Sequence, residues 1–521
     1  MSNSTPPSES SGLGAEAVDE STRIAEVDID QAAERKVAEL QKRGMVFWVL
    51  MAAVVVLLAE QTSFSFGLYS FALGSFAAEY PGSNVVWIMT GLMLGQAVVI
   101  PLLTKLGDVY GKKKIIVWSV AILCVGCLVC AVAPNFTVLI IGRVLMSGCG
   151  GLVMLVLALV REVFPVRMRA TVFSIVSTGG GLIIIGGPMM SAWLTEHVSL
   201  ESTFWAQLGM AAVAGIIALI ALPETPIRVR AGVDYIGAFL LGLGAFGVVG
   251  ALSQVQTRGW DALTIGGTAG GAVALLVWMM YSSRIKEPLI NLALIGRRAM
   301  AVTIVAMGLI VGGTAIMQVL AVLAWSTPPA AAGYGQGLDQ LHVAYWSIPY
   351  AILWVGSGVF VGLTVKSIGY RLHVIWGAVI LAISTLLLGF TLEASDAVII
   401  AVYSLGGFAS MAAVAAVALV MLAAPEDQRA VALGVNQSVT SIAVAITGQI
   451  AYAILEASKK PVGGGVEMFQ SGGFKIAYIV AAGFAIVGGI VAVFIPHGRR
   501  QRSTEPVDKP YAPTDLSTQP S

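Results

Sequence analysis

Glu60 interrupts the apolar run VVVLLAEQTSFSFGLYSF, Val54 to Phe71. It is the residue whose chemistry asks first for an explanation. Burial penalises the charged form of a carboxyl group, and such a group can load and release a proton as its surroundings change. On helical spacing Glu60 shares a face with Ser63 and Gly67, and Gly74 continues it. That small, polar face suits the interior of a helix bundle. Two readings stand, a proton-carrying glutamate and a structural one held protonated or hydrogen-bonded. Arg143, in IIGRVLMSGCGG, is the second such residue. A guanidinium among apolar residues must face protein or water, and Ser147 and Gly150-Gly151 lie on roughly its face. It is read either as a coupling residue or as a structural arginine donating to backbone carbonyls. The third candidate is the loop TKLGDVYGKKK, Thr104 to Lys114. Gly107 and Gly111 permit a tight turn. Asp108 can pair with a basic residue of a neighbouring loop or cap a helix, and Lys112, Lys113 and Lys114 can anchor at lipid headgroups. A plain topogenic loop is the alternative.

The elements that position these residues follow from composition. Of 521 residues 57% are apolar and 11% charged, and mean hydropathy is +0.86. Soluble domains carry about a quarter charged residues, so the solvent of this chain is largely lipid. Net charge is +1, which provides no field for nucleic acid. Fourteen apolar runs are long enough to cross a bilayer, the first over about 46–70, the second 84–104, the fourth 136–160 and the fifth 170–194. With the N-terminus cytoplasmic, 25 of the 30 basic residues fall in the tails and inner loops and four in outer loops, a strong orientation signal. No signal peptide is visible, because residues 1–44 are polar. Residues 31–43 are expected to form a short helix leading to the membrane. Cys124, Cys127 and Cys130 imitate cluster spacing, but they sit in an apolar helix with no fourth ligand nearby and read as packing residues. No metal and no cofactor is expected.

The chain echoes itself. FPVRMRA after span four and APEDQRA after span twelve place Pro165 and Pro425 260 residues apart. Gly111 in DVYGKKK and Gly369 in KSIGYRL are 258 apart. Two echoes at nearly one offset fit two homologous six-span halves with two spans between them. Such repeats place a substrate site between the halves.

Lys105-Leu106-Gly107-Asp108-Val109-Tyr110-Gly111-Lys112-Lys113 resembles the signature loop of the major facilitator superfamily, Gly-x-Leu-x-Asp-Arg-x-Gly-Arg-Lys/Arg. The first glycine and first arginine are replaced. "Trp87-Ile-Met-Thr", IIGRVLMSGCGG and EPLINLALI (Glu287 to Ile295) resemble further motifs, the last of the 14-span drug/proton antiporter branch. Val233 to Trp260 looks like that branch's extra seventh span. STGGGLIIIGGPMMSAWL resembles its span-five signature, with Gly187-Pro188 kept at the expected bend and Ser191-Ala192 in place of the closing glycine pair. Glu60-Gln61-Thr62 stands where the branch carries Asp-x-Thr. The resemblance implies that Glu60 and Arg143 couple protons to transport. It also implies that Asp108 joins a cytoplasmic latch that steadies the outward-facing state, with Arg167 or Arg169 as partner.

The expected fold is an all-α polytopic membrane protein with 14 transmembrane helices in two six-helix bundles plus two extra central spans. Its parts are a polar tail 1–44, a bundle 45–222, two added spans in 223–298, a second bundle 299–497 and a tail 498–521. The expected function is proton-coupled transport of a small-molecule substrate, export of amphipathic compounds or drugs, by alternating access in the plasma membrane with both termini cytoplasmic. A facilitator-fold transporter of a polar metabolite or lipid with another coupling mode is the alternative. Gln61, Thr62, Trp325, Trp346 and Tyr350 are candidate cavity residues, and the aromatics among them equally suit a membrane-interface belt. A redox subunit is disfavoured because His197, His342, His373 and His497 sit at span ends or in loops.

Overall fold

The computed structural model describes residue 39 and residues 42–224, 232–425, 428–461 and 467–498, without the side chains at 170, 173, 174, 177–185, 256, 257, 331 and 430. The helix expected over 31–43 and both tails lie almost wholly outside these residues.

The described chain is an all-helical, polytopic membrane protein apart from a two-residue ladder, β1 (Lys460–Pro461) with β2 (Glu467–Met468). Its first helices are α1 (Met45–Ala59), α2 (Gln61–Ser70), α3 (Leu73–Glu79), α4 (Trp87–Tyr110), α5 (Lys112–Ala131), α6 (Phe136–Met146), α7 (Leu152–Val163), α8 (Val166–His197) and α9 (Ser202–Ala221). A hairpin follows, α10 (Tyr235–Arg258) and α11 (Ala262–Ser282), and then the short α12 (Leu292–Ile295). The remainder comprises α13 (Arg298–Ser326), α14 (Pro329–Ala332), α15 (Gln340–Ile368), α16 (Tyr370–Leu388), α17 (Asp396–Leu405), α18 (Ser410–Ala423), α19 (Arg429–Ala457) and α20 (Ser471–Val493).

Among the described residues twelve spans meet the length and hydropathy needed to cross a membrane, and the pair α1–α2, bent by 46°, makes a thirteenth. The expected span over 170–194 falls in α8, a 32-residue helix that continues through Pro188. The first apolar run is bent at Glu60, and the chain continues helically through α3.

The side chains facing lipid are apolar and exposed, among them Trp118, Ile220 and Leu363. The large core joins α1–α9 to α13–α20. A second, smaller core gathers Leu241 and Trp278 of the hairpin, Met300 and Ile304 of α13, and Val435 of α19, with Val98 and Leu102 of α4 against it.

The sequence echoes have structural counterparts. Gly111 (φ 101, ψ 135) and Gly369 (φ 85, ψ 151) each end one long helix and begin the next. Both adopt positive φ, which glycine allows without steric cost. Two spans, 136–163 and 396–423, are each broken by a short 3₁₀ turn, Ser147–Gly151 in one and Gly406–Ala409 in the other. Close packing requires the glycines there: a Cβ on Gly150 would fall 2.8 Å from Gln96 Cγ, and one on Gly407 would fall 2.6 Å from the Tyr350 carbonyl oxygen.

Candidate functional site

Glu60 is the hinge residue between α1 and α2. Its backbone is helical (φ −77, ψ −5). Its N–H donates to the Val56 carbonyl at 2.9 Å and its own carbonyl accepts from the Phe64 N–H at 2.9 Å, so hydrogen bonding passes through the bend. The residue is 4% exposed. The next residues tie the hinge to neighbouring spans. Gln61 Nε2 donates to the Leu57 carbonyl (3.1 Å), while its buried Oε1 has no hydrogen-bond partner among the described residues. Thr62 Oγ1 donates to the Cys149 carbonyl (2.9 Å), within the 3₁₀ turn of span four.

One turn on, a polar network crosses four spans. Arg143 is fully buried in the last turn of α6. Its Nε donates to the Ile88 carbonyl (2.9 Å), its Nη2 to the Ser65 carbonyl (2.8 Å), and its guanidinium carbon lies 4.2 Å from the centre of the Tyr69 ring. No carboxylate pairs with it among the described residues. The charge is balanced by carbonyl dipoles and by the negative ring face. Tyr69 OH donates to Gln207 Oε1 (2.9 Å), and Gln207 Nε2 returns to Ser65 Oγ (2.5 Å) and to the Gln61 carbonyl (3.3 Å). Arg143 thus donates to backbone carbonyls, as the structural reading expects, and one of them, that of Ser65, stands five residues from Glu60.

The α4–α5 loop is built otherwise than the sequence suggested. Lys112 does not anchor at the headgroups. It is buried, with Nζ 2.8 Å from Glu162 Oε1 of α7 and 3.5 Å from Asp108 Oδ1. In this conformation Asp108 lies beside Lys112, one turn away. Arg167 is exposed, and Arg169 Nε donates to the Phe164 carbonyl (2.8 Å) at the start of its own helix. The physical reason is reach: positive φ at Gly111 turns α5 back so that Lys112 points into the bundle. The Lys113 N–H is held by Glu224 Oε1 (3.2 Å). Gly107 packs against Leu155 of α7.

At the opposite end the two groups of helices are stitched together. Gln449 of α19 bridges Thr90 and Asn84, donating through Nε2 to Thr90 Oγ1 (2.8 Å) and accepting from Asn84 Nδ2 (2.8 Å). Tyr452 OH donates to the Ser83 carbonyl (3.3 Å). Gln340 of α15 donates to Ser191 Oγ of α8 (2.9 Å) and accepts from Ser75 Oγ (3.1 Å), and the Leu341 N–H donates to Glu196 Oε1 (2.8 Å). These bonds between α1–α9 and α13–α20 all lie at this end, remote from Lys112. Beside it, the His342 N–H at Asp339 Oδ1 (2.8 Å) caps α15 and holds the Asp339 carboxyl below the usual carboxylate range.

The aromatic candidates form an interior cluster and not a lipid-facing belt. Trp325 and Tyr350 are each 2% exposed. Trp325 meets Trp346 (5.4 Å between ring centres) and Tyr403 (4.8 Å), Tyr350 meets Tyr403 (5.0 Å), and Gln318 Nε2 donates to Tyr350 OH (2.9 Å). Gly187 and Pro188 are buried inside α8; residues 177–185 of the glycine-rich stretch lie outside the described side chains. The cysteines are all free, with Cys127, Cys130 and Cys149 buried. Sequence reasoning passed over Tyr69, Gln207, Gln340, Gln449 and Glu162. Gln207 in FWAQLGM and Gln449 in TGQIAY carried a signal all the same, as lone amides in apolar runs.

Comparison with known proteins adds the family. The sequence model described as Major Facilitator Superfamily matches residues 43–348 and 333–520. An uncharacterized MFS-type transporter of Mycobacterium tuberculosis is 27% identical over 356 residues, covering 67% of this chain and 50% of its own length. A multidrug resistance protein B homolog of the same species is 30% identical over 270 residues, covering 50% of each. The chain thus spans about half the length of these curated relatives. The xylose transporter of E. coli, in a partially occluded inward-open conformation, superposes with a TM-score of 0.57 at 12% identity, over 87% of this chain and 98% of that one. That likeness concerns the fold alone.

Proposed function

Since this chain belongs to the major facilitator superfamily, we propose that it is a proton-coupled secondary transporter that exports amphipathic compounds by alternating access. The observation that carries the reading is Glu60, a carboxyl-bearing residue 4% exposed at the hinge of a bent membrane span. A hinge glutamate that gains or loses charge alters the cost of burying the bend, which couples protonation to helix geometry. Arg143 holds α2, α4 and α6 in one body, so movement at the hinge reaches three spans together. The kinship with a multidrug resistance protein B homolog supports amphipathic cargo.

The remaining assignments follow. Counting α1–α2 as one span and α8 as another gives fourteen, in two six-span bundles flanking the α10–α11 hairpin. Basic residues place the Lys112 end in the cytoplasm of a plasma-membrane protein, with both termini on that side. The stitched end is then outer, and the conformation faces inward. Asp108, Lys112 and Glu162, with Gly107, Gly111, Lys113, Arg167 and Arg169 around them, form the cytoplasmic gate. The bend of span five is assigned to Gly187-Pro188, and Gln61, Thr62 and the Trp325–Trp346–Tyr350 cluster to the cavity wall.

The test is flux of the fluorescent amphipathic cation ethidium in proteoliposomes under an imposed pH gradient. Wild type moves the probe in response to the gradient, and Glu60→Gln does not. Equal gradient-driven flux in both proteins would sink the proton role of Glu60.

A further inference from the structure

We propose that a cavity at the stitched end binds a small protonated amine, and that its occupant holds that end shut. The cavity measures about 230 Å³ and is lined by residues of three helix groups: Asn84 and Trp87 at the start of α4, Phe136 of α6, Ser253 of α10, and Tyr452 and Glu456 of α19. Its volume is below the roughly 300 Å³ of a drug-sized pocket, so it admits a ligand of about one small fused ring system.

The wall chemistry selects the ligand. Asn84 spends its Nδ2 on Gln449 Oε1, and its Oδ1 is buried with no hydrogen-bond partner. Glu456 Oε1 takes Lys459 Nζ at 2.7 Å, and its buried Oε2 has no hydrogen-bond partner among the described residues. Two donors of the wall are engaged, Trp87 Nε1 with Ser253 Oγ (3.1 Å) and Tyr452 OH with the Ser83 carbonyl (3.3 Å), and Gln254 adds an amide to the lining. Asn84 Oδ1 and Glu456 Oε2 are thus two acceptor oxygens, one of them a carboxylate's, among three aromatic rings, with Lys459 held on the far oxygen of Glu456 and no lysine or arginine in the lining itself. An anion is repelled by that carboxylate, and an apolar guest leaves both oxygens unpaired. An ammonium brings three N–H donors and a charge that ring faces attract.

The position gives the site its consequence. Tyr452 and Gln449 reach across from α19 to Ser83 and Asn84, so parting this end divides the lining between separating bodies. A ligand that binds only the joined arrangement favours it by linkage. This consequence rests on the alternating-access reading; the binding does not.

Tryptamine, protonated at neutral pH, is the probe, used with the full chain. It should raise the melting temperature of the detergent-purified protein saturably. Neutral N-acetyltryptamine and anionic indole-3-acetate should do so far less. Glu456→Gln and, independently, Trp87→Leu should each weaken the effect about tenfold or more, while Glu60→Gln keeps it. In proteoliposomes, tryptamine on the stitched side should slow ethidium flux in wild type and spare Glu456→Gln. Equal stabilisation by N-acetyltryptamine, full tryptamine binding in both cavity variants, or loss of binding in Glu60→Gln would overturn the site. Binding that leaves flux untouched would overturn the holding role. Gradient-driven flux absent from wild type, with tryptamine binding lost in the cavity variants, would sink the transport reading and support the site.

Discussion

Replacing Arg143 by lysine tests how this membrane interior holds an unpaired charge. The guanidinium makes two charge-assisted bonds, to Ile88 and Ser65, and stacks 4.2 Å from the Tyr69 ring centre. An ammonium is a point donor on an unforked stem and cannot hold both carbonyls and the stack together. Losing one charge-assisted bond costs about 1.5–3 kcal/mol, and losing the stacked ring about 0.5–2 kcal/mol. The expected destabilisation is therefore about 3 kcal/mol, which lowers the melting temperature by roughly 5 °C for a chain of this size. The assay is thermal melting in detergent of wild type, Arg143→Lys, Tyr69→Leu and the double variant. Because the ring and the guanidinium act on each other, the double variant should lose less than the two singles together. An Arg143→Lys protein that melts with wild type, or strictly additive losses, would refute the guanidinium as the tie between these spans.

Lys112→Met leaves Glu162 half-buried without its 2.8 Å partner and should cost about 2 kcal/mol, discounted from the fully buried case because Glu162 keeps some solvent; adding Glu162→Gln should restore much of the melting temperature. Gly111→Ala should cost about 2 kcal/mol or more, since φ is 101 and the new Cβ would fall 2.6 Å from Glu224 Oε1, and it should also show as reduced yield of folded protein. Single cysteines at Lys113 and Gly335 should react with membrane-impermeant maleimide from opposite sides of the membrane, and labelling from one side would contradict the orientation drawn from the basic residues.

Periodicity and composition carried the helical architecture well, because membrane spans must satisfy their own backbone and advertise it as long apolar runs. The paired glycines of one sequence echo, Gly111 and Gly369, both adopt positive φ. The hinge at Glu60 was invisible to hydropathy, since a break that preserves apolar length leaves no mark in a window average. Lys112 misled for a related reason. In Lys112-Lys113-Lys114 three identical residues look interchangeable, and only the turn at Gly111 decides that the first points inward to Glu162. The inter-half stitches were the least legible feature. Gln340, Gln449 and Asn84 are single amides far apart in sequence, and their meeting is a property of how two bundles pack.

The central claim is that proton movement and cargo movement share Glu60. The most direct measurement is the internal pH of proteoliposomes, read with a trapped dye, when ethidium is added with no gradient imposed. The account predicts that downhill ethidium movement drives protons the opposite way in wild type and that Glu60→Gln abolishes this pH change while still binding ethidium. An equal pH change in the variant, or cargo movement with no pH change in wild type, would contradict it.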